Sequence, residues 1–423
     1  MTDHTLTLSD EERAMAQGEA GPAVAMAMRI VVGAARAAGA RSLLPIASAH
    51  IDSCLYHGQA GLDFAEKLVE LGAKTAVPAT LNVGSLDLLH PGLARPAPDD
   101  GQGARRLMDA YTKLGCRPTW TCAPYQLDHR PAAGTHVAWA ESNAIAFVNS
   151  VLGARTDRYG DFLDICAAVT GRVPAAGLHL DVHRRARIVL DCRPLSRRPL
   201  EDDSAWGALG VVVGRLAGTT VPALLGLPDT TTEDQLKAFG AAAASAGGVA
   251  LFHAVGITPE APTLSQALGG TTDRETHLIT TDMLRAARDT LTTARHPQLD
   301  AVCLGTPHFS LTEFAQLAAL LTDGTRFSRT RVYVATSRSV LQAAREHGYA
   351  QLVEAAGATV VTDTCTYVTP VLEPDARHVM TNSGKWAWYA PANIGVDVTL
   401  GSLAECVASA REGEVRRDDR LWA

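Results

Sequence analysis

The stretch Ala301-Val-Cys303-Leu-Gly-Thr-Pro-His308-Phe-Ser310 sets a thiol, a hydroxyl and an imidazole at the end of an apolar run. Asp363-Thr-Cys365-Thr-Tyr367 repeats the arrangement, and Arg117-Pro-Thr-Trp-Thr-Cys122-Ala-Pro-Tyr125 places a third cysteine after a strand-like stretch. In an open α/β sheet, ligands and metals bind in the loops beyond the strand ends. Three thiols so placed can converge on one soft-metal or iron–sulfur centre, with Cys122, Cys303 and Cys365 as its ligands. The competing reading is burial alone, since free cysteine is among the most buried residue types. No Cys-x-x-Cys run occurs, so no zinc ribbon or ferredoxin site is written locally.

Other polar groups gather in the same kind of place. Ser48-Ala-His50-Ile-Asp52-Ser53-Cys54-Leu-Tyr56-His57-Gly58 is dense in acid–base groups, or is a hydrogen-bonded turn. Asn82-Val-Gly84-Ser85-Leu-Asp87 offers amide, hydroxyl and backbone donors for a carboxylate, or caps a helix. Glu141-Ser142-Asn143 opens an apolar stretch, where the acid is a base or a partner for an arginine. Arg155-Thr156-Asp157-Arg158 reads as a carboxylate clamp through paired guanidinium bonds, or as a surface turn. Thr381-Asn382-Ser383-Gly384-Lys385 lacks the upstream glycine of a phosphate loop and is followed by Trp386, which excludes a nucleotide site. It remains an anion-binding or hydroxyl-activating turn.

The elements that must position these groups alternate helix and strand, the mark of an α/β protein. Ser9-Asp-Glu-Glu12 predicts a capped helix broken at Gly18 and Gly21-Pro22, and a second helix runs through Val24 to Val31. Phe64–Leu71 reads as a short helix and Thr75–Val83 as a strand. Ala208–Val213 and Gly248–Val255 are strand-like around a helix at Gln235–Ala246, and Thr271–Thr293 reads as a helical connection. Beyond Pro297 the alternation is regular: strand Ala301–Leu304, the His308 loop, helix Thr312–Leu321, strand Arg331–Ala335, helix Ser339–Glu346 and strand Ala358–Thr362. With 423 residues the chain exceeds one ordinary core. The polar, proline-containing Ser196–Ala205 marks a boundary, giving α/β units over 1–200, 201–296 and 297–423.

Composition narrows the function. Hydrophobic content of 47% and charged content of 20% are those of a globular protein. A formal charge of −7 gives no general attraction to nucleic acid or an anionic membrane. The start lacks a signal-peptide pattern, and Arg29 and Arg36 disfavour a membrane span over 21–40. Eight cysteines in such a chain are expected as reduced thiols, which points to the cytoplasm.

Taken in order, several segments resemble the large subunit of the aconitase X family. They are Gly18-Glu-Ala-Gly-Pro22, Ser48-Ala-His50, Leu81-Asn82-Val83-Gly84-Ser85, Pro118-Thr-Trp-Thr-Cys122-Ala-Pro-Tyr125 and Glu141-Ser142-Asn143-Ala144. Gly153-Ala-Arg155-Thr156-Asp157-Arg158, Gly305-Thr-Pro-His308, Asp363-Thr-Cys365 and Thr381-Asn382-Ser383-Gly384-Lys385 complete the set. The resemblance implies an aconitase-like multidomain architecture with doubly wound sheets, lacking the swivelling small domain. A small subunit carrying that domain is the implied partner. It implies a hydro-lyase with an iron–sulfur centre, of 2Fe-2S or 3Fe/4Fe type, acting as a Lewis acid. Bacterial members of this kind dehydrate cis-3-hydroxy-L-proline to Δ1-pyrroline-2-carboxylate; archaeal members dehydrate mevalonate 5-phosphate and carry Gly-Cys-Pro-His where this chain has Thr306.

On that reading His50, Ser383 and Lys385 handle protons. Asn82, Ser85, Glu141, Ser142, Asn143, Arg155, Thr156, Arg158, His308 and Asn382 hold substrate, and Cys122, Cys303 and Cys365 hold metal, with Cys54 as another candidate ligand. The alternatives are another small hydroxy-acid dehydratase, such as one for mevalonate 5-phosphate, or an RNA-binding aconitase-like protein. A metal-free enzyme with purely structural cysteines is a further one. The acidic balance speaks against RNA and membrane partners.

Overall fold

A computed structural model describes residues 6–271, 274–322, 324 and 326–422. The first part contains helices α1 (Asp10–Gln17) and α2 (Pro22–Ala37), strands β1 (Leu43–Pro45) and β2 (Ala49–Ile51), and α3 (Gln59–Glu70). It continues with β3 (Ala79–Leu81), α4 (Pro98–Lys113), β4 (Ala138–Trp139), α5 (Ser142–Ser150), α6 (Leu163–Thr170) and β5 (Arg172–Pro174). Ser9 and Glu12 form the reciprocal cap expected at the start of α1, and Gly18 ends that helix at φ +95°. Strands β3-β2-β4 form a parallel sheet, and β1 pairs antiparallel with β5.

The middle part holds α7 (Asp181–Arg184), β6 (Ile188–Asp191), α8 (Asp203–Ala217), β7 (Pro222–Leu225) and α9 (Glu233–Gly247). After these come β8 (His253–Ala254), α10 (Leu264–Ala267), β9 (Thr276–Leu278) and α11 (Thr281–Thr290). Its sheet is parallel in the order β8-β7-β6-β9. Strand β6 therefore belongs to the middle sheet, ahead of residue 201 where the sequence reading started that unit.

Ala208–Val213 is not a strand but the centre of α8, a correction with a clear cause. The run is buried on all sides, and a short apolar stretch of that kind carries no period that separates strand from helix. Glycines decide the packing. A Cβ at Gly210 would lie 2.4 Å from the Phe239 carbonyl oxygen, and one at Gly247 would lie 1.8 Å from that of Gly214. Helices α8 and α9 thus meet backbone to backbone, and α9 also packs against α5.

The third part comprises β10 (Ala301–Phe309), α12 (Leu311–Ala319), β11 (Arg331–Thr336), α13 (Arg338–Glu346), α14 (Tyr349–Ala355) and β12 (Ala358–Val361). It ends with β13 (His378–Thr381), α15 (Gly384–Ile394), β14 (Asp397–Leu400) and α16 (Leu403–Glu412). The five strands are parallel in the order β12-β11-β10-β13-β14, a doubly wound arrangement. His308, expected in a loop, lies within β10, whose register against β11 shifts between Leu304 and Phe309. Gly305 at φ +87° makes that shift possible, since a Cβ there would fall 2.1 Å from the Ala335 carbonyl oxygen. Among the described residues no single helix is long and apolar enough to cross a membrane.

Candidate active site

Cys122 and Cys365 meet. Together with Val83 they form a small buried cluster, covered by Leu55, Tyr367 and Val368, although 243 positions separate them along the chain. Each thiol is held by the irregular end of β10: the His308 backbone N–H donates to Cys122 Sγ at 3.3 Å, and Thr306 Oγ1 lies 3.4 Å from Cys365 Sγ. The His308 ring braces both flanks. Its Nδ1 pairs with Thr121 Oγ1 at 3.0 Å, and its Nε2 lies 3.2 Å from the Thr364 carbonyl, so Nε2 carries the proton. Burial holds His308 down at about 4, and the ring is a neutral strut. Burial likewise pushes the Cys122 and Cys365 thiols up, so both are protonated without a metal.

Beside the thiols lies a buried group of charges. Lys385 Nζ, in the first turn of α15, bonds to Glu141 Oε1 and, at 3.2 Å, to Ser142 Oγ. Glu141 is the N-cap of α5, its other oxygen accepting from the Asn143 and Ala144 backbone N–H groups at 2.8 and 3.0 Å. Burial is the largest single influence on Lys385 and opposes its charge, but Glu141, Tyr367 and Cys122 together outweigh it and keep the ammonium well above its ordinary value. Asp52, which accepts from Asn82 Nδ2, is pushed up to about 7, first by burial and then by Glu141 and Asp164. A proton donor and a carboxylate that titrates near neutrality therefore share one site.

Family models for the first, second and third domains of aconitase X match residues 5–182, 185–289 and 299–412. The chain belongs to the aconitase X family. It is 44% identical over 97% of its length to a cis-3-hydroxy-L-proline dehydratase of Pseudomonas aeruginosa, spanning 71% of that protein. Identity to the Hypocrea jecorina enzyme of the same name is 40%, over 97% of this chain and 69% of that one. The phosphomevalonate dehydratase large subunit of Methanothermobacter thermautotrophicus is 37% identical, over 92% of this chain and 95% of the relative. The crystal structure of Thermococcus kodakaraensis aconitase X in its holo-form superposes with a TM-score of 0.85 at 32% identity, covering 95% and 99% of the two chains.

The aconitase X fold brings only some of the expected residues together. Glu141, Ser142, Asn143 and Lys385 are joined in one network, and Asn143 Nδ2 donates to the Cys122 carbonyl at 2.9 Å. Ser383 Oγ is occupied as the cap of α15: it donates to the Thr306 carbonyl and accepts from Trp386 N–H at 3.0 Å. His50 is sealed in the sheet. Its Nδ1 bonds to Thr80 Oγ1 at 2.8 Å, its Nε2 is buried without a partner, and burial drives it down to about 3.

The arginine clamp does not form. Arg155 is engaged by Asp181 and the His179 carbonyl, and Arg158 by the Gly248 carbonyl, because both serve the seam between the first and middle parts. Thr156 Oγ1 pairs with the Trp139 backbone, and Ser85 Oγ accepts from Tyr56 N–H. Asn382 bonds to Asp203 on the rim of a cavity of about 470 Å³, which Thr306 and Ser383 also line.

The expected trio of thiols is also not assembled. Cys303 sits in the body of β10, opposite Tyr333 and Thr381, and its side chain belongs to the large core containing Trp206 and Trp386. Among the described residues no three His, Cys, Asp or Glu side chains are placed to hold a metal ion. A cluster tied to Cys122, Cys303 and Cys365 does not fit, whereas the pair Cys122–Cys365 suits the anchoring of a soft metal. Asp52 is a site residue beyond those the motifs point to, although it stands in the polar stretch around His50. Asp164 lies outside the motifs as well, its signal a lone acid in the apolar helix α6; its carboxylate accepts from the Asp52 and Ser53 backbone N–H groups.

Proposed function

We propose that this chain is the larger part of a cis-3-hydroxy-L-proline dehydratase that forms Δ1-pyrroline-2-carboxylate. The observation that carries the reading is the 44% identity over nearly the whole chain to an enzyme of that name. The charges support it over a phosphate-bearing substrate. Among the described residues the cations near the thiol pair have counter-ions: Lys385 has Glu141, Arg338 has Asp363, and Lys237 has Asp234 and Glu313. Among the described residues a phosphate dianion would find only cations already paired with carboxylates, whereas the single carboxylate and the ammonium of a zwitterionic amino acid match the paired base and acid of Lys385 and Glu141.

In this reading Asp52 takes the Cα proton, and Lys385 offers its positive charge to the substrate carboxylate as electron density moves onto it. The Cα–H bond supplies the electron pair of the new Cα–Cβ double bond, and the 3-hydroxyl leaves with a proton as water. The enamine then tautomerises to the cyclic imine. Cys122 and Cys365 would hold the family's iron–sulfur centre, whose Lewis acidity assists departure of the hydroxyl. Asn82 orients Asp52, and Ser142 and Asn143 hold the Lys385–Glu141 pair. A small subunit of the swivelling type completes the enclosure, a reading supported by the similarity to a phosphomevalonate dehydratase large subunit.

The test uses anaerobically purified chain, co-expressed with the partner, given cis-3-hydroxy-L-proline or mevalonate 5-phosphate. Pyrroline formation from the first alone is the expected result. Turnover of the second alone would transfer the assignment to the phosphomevalonate branch.

A further inference from the structure

A second set of charges, outside that chemistry, ties together the two parts of the chain that carry the thiols. Asp87, in the loop after β3, reaches into the third part. Its Oδ2 accepts from Thr362 N–H at 2.9 Å and its Oδ1 from Thr362 Oγ1 at 3.0 Å. Asp363 answers in the opposite direction: its Oδ2 accepts from Leu88 N–H at 3.1 Å, and its carbonyl accepts from Gly84 N–H at 2.7 Å. Arg338, the first residue of α13, closes the arrangement with two parallel bonds of 2.6 Å to the Asp363 carboxylate. Asp87 and Asp363 are 3% and 0% exposed, so both carboxylates are shielded, while the Arg338 side chain stays 35% exposed.

The geometry leads to the thiols on both sides. Asp363 adopts φ +62°, a left-handed conformation that a non-glycine residue holds only when its surroundings impose it. That turn directs Thr364 and Cys365 off the line of β12. On the other strand of the contact, Gly84 follows Val83, which packs against both Cys122 and Cys365. Gly84 is itself pinned, because a Cβ there would stand 2.6 Å from Met108 Cε on α4. One bond between two parts leaves them free to pivot; two bonds in opposite directions leave little freedom. Two neighbouring buried carboxylates repel, and Arg338 offsets that repulsion.

We infer that the reciprocal clasp of Asp87 on Thr362 and Asp363 on Leu88, locked by Arg338, is a positioning device that sets the separation of Cys122 and Cys365. It rests on the proposal that this pair anchors a metal, but it can be tested without turnover. Cadmium alone would be titrated into the reduced, chelator-stripped full chain and followed by thiolate-to-metal charge-transfer absorbance, with Cys122→Ser as the reference for a lost site. Arg338→Met should weaken cadmium roughly 10–100-fold, the usual effect of removing a partner that orients metal ligands. Arg338→Lys should recover part of the loss, since an ammonium cannot span both oxygens.

Circular dichroism of each variant reports the fold, and Asp87→Asn decides the matter should Arg338→Met fail to fold. Wild-type cadmium affinity and spectrum in both Arg338→Met and Asp87→Asn would overturn the clasp. Identical titrations of the wild type and Cys122→Ser would instead overturn the metal-anchoring reading, and the clasp's role with it.

Discussion

Removing Lys385 should cost more than an ordinary substitution, and the cost should vanish in part when Glu141 is removed as well. The two side chains are 5% and 6% exposed, so their ion pair is sheltered from water. Breaking such a pair from one side costs about 3–5 kcal/mol, because the other charge is left buried. The neighbours set the order. Lys385→Met leaves Glu141, Asp52 and Asp164 facing one another without a cation, which places it at the upper end. Glu141→Gln leaves Lys385 with Asp52 as a substitute counter-ion and with Ser142 Oγ at 3.2 Å, which places it at the lower end. The double variant removes both charges and should cost less than the sum by about 3 kcal/mol. Guanidinium unfolding of the four proteins, followed by tryptophan fluorescence, supplies the cycle, provided all four share one slope. Strictly additive costs, or single costs near zero, would refute the idea of an isolated buried pair.

The other expectations concern the thiols and Asp52. Cys122→Ser and Cys365→Ser should lose iron and visible colour on anaerobic purification while Cys303→Ser keeps both; iron loss in Cys303→Ser would restore the three-thiol ligand set. Thr306→Cys places a third sulfur beside Cys365, where the hydroxyl now lies 3.4 Å from Sγ, and should tighten cadmium binding measured by titration. Asp52 binds a proton in the folded state up to about pH 7 but only to about 3.8 when unfolded, so its contribution to stability is full at low pH and is lost as pH rises between those values. Asp52→Asn should therefore gain stability over the wild type toward pH 8, by at most about 4 kcal/mol, and lose turnover. An unchanged difference in unfolding between pH 5 and pH 8 would show that Asp52 ionises normally.

Much of this protein was written in the order of its residues. The capping box at Ser9 and Glu12, the alternating apolar runs of the third part and the motifs around Cys122, Glu141 and Asp363 are local signals, legible because capping and strand burial act over a few residues. The run Ala208–Val213 was not legible, since the helix there is chosen by the glycines it presses against α9. Nor could spacing tell which thiols meet. Cys303 and Cys365 look alike in sequence, yet the body of β10 turns one into the core, and the left-handed turn at Asp363 directs the other toward Cys122. The family and the kinds of groups available for chemistry are legible in the order of the residues alone. That Arg155 and Arg158 serve a seam while Lys385, Glu141 and Asp52 share one site emerges only on folding. Charge pairing and burial are properties of neighbours in space, and residues 52, 141 and 385 become neighbours only when the chain has folded.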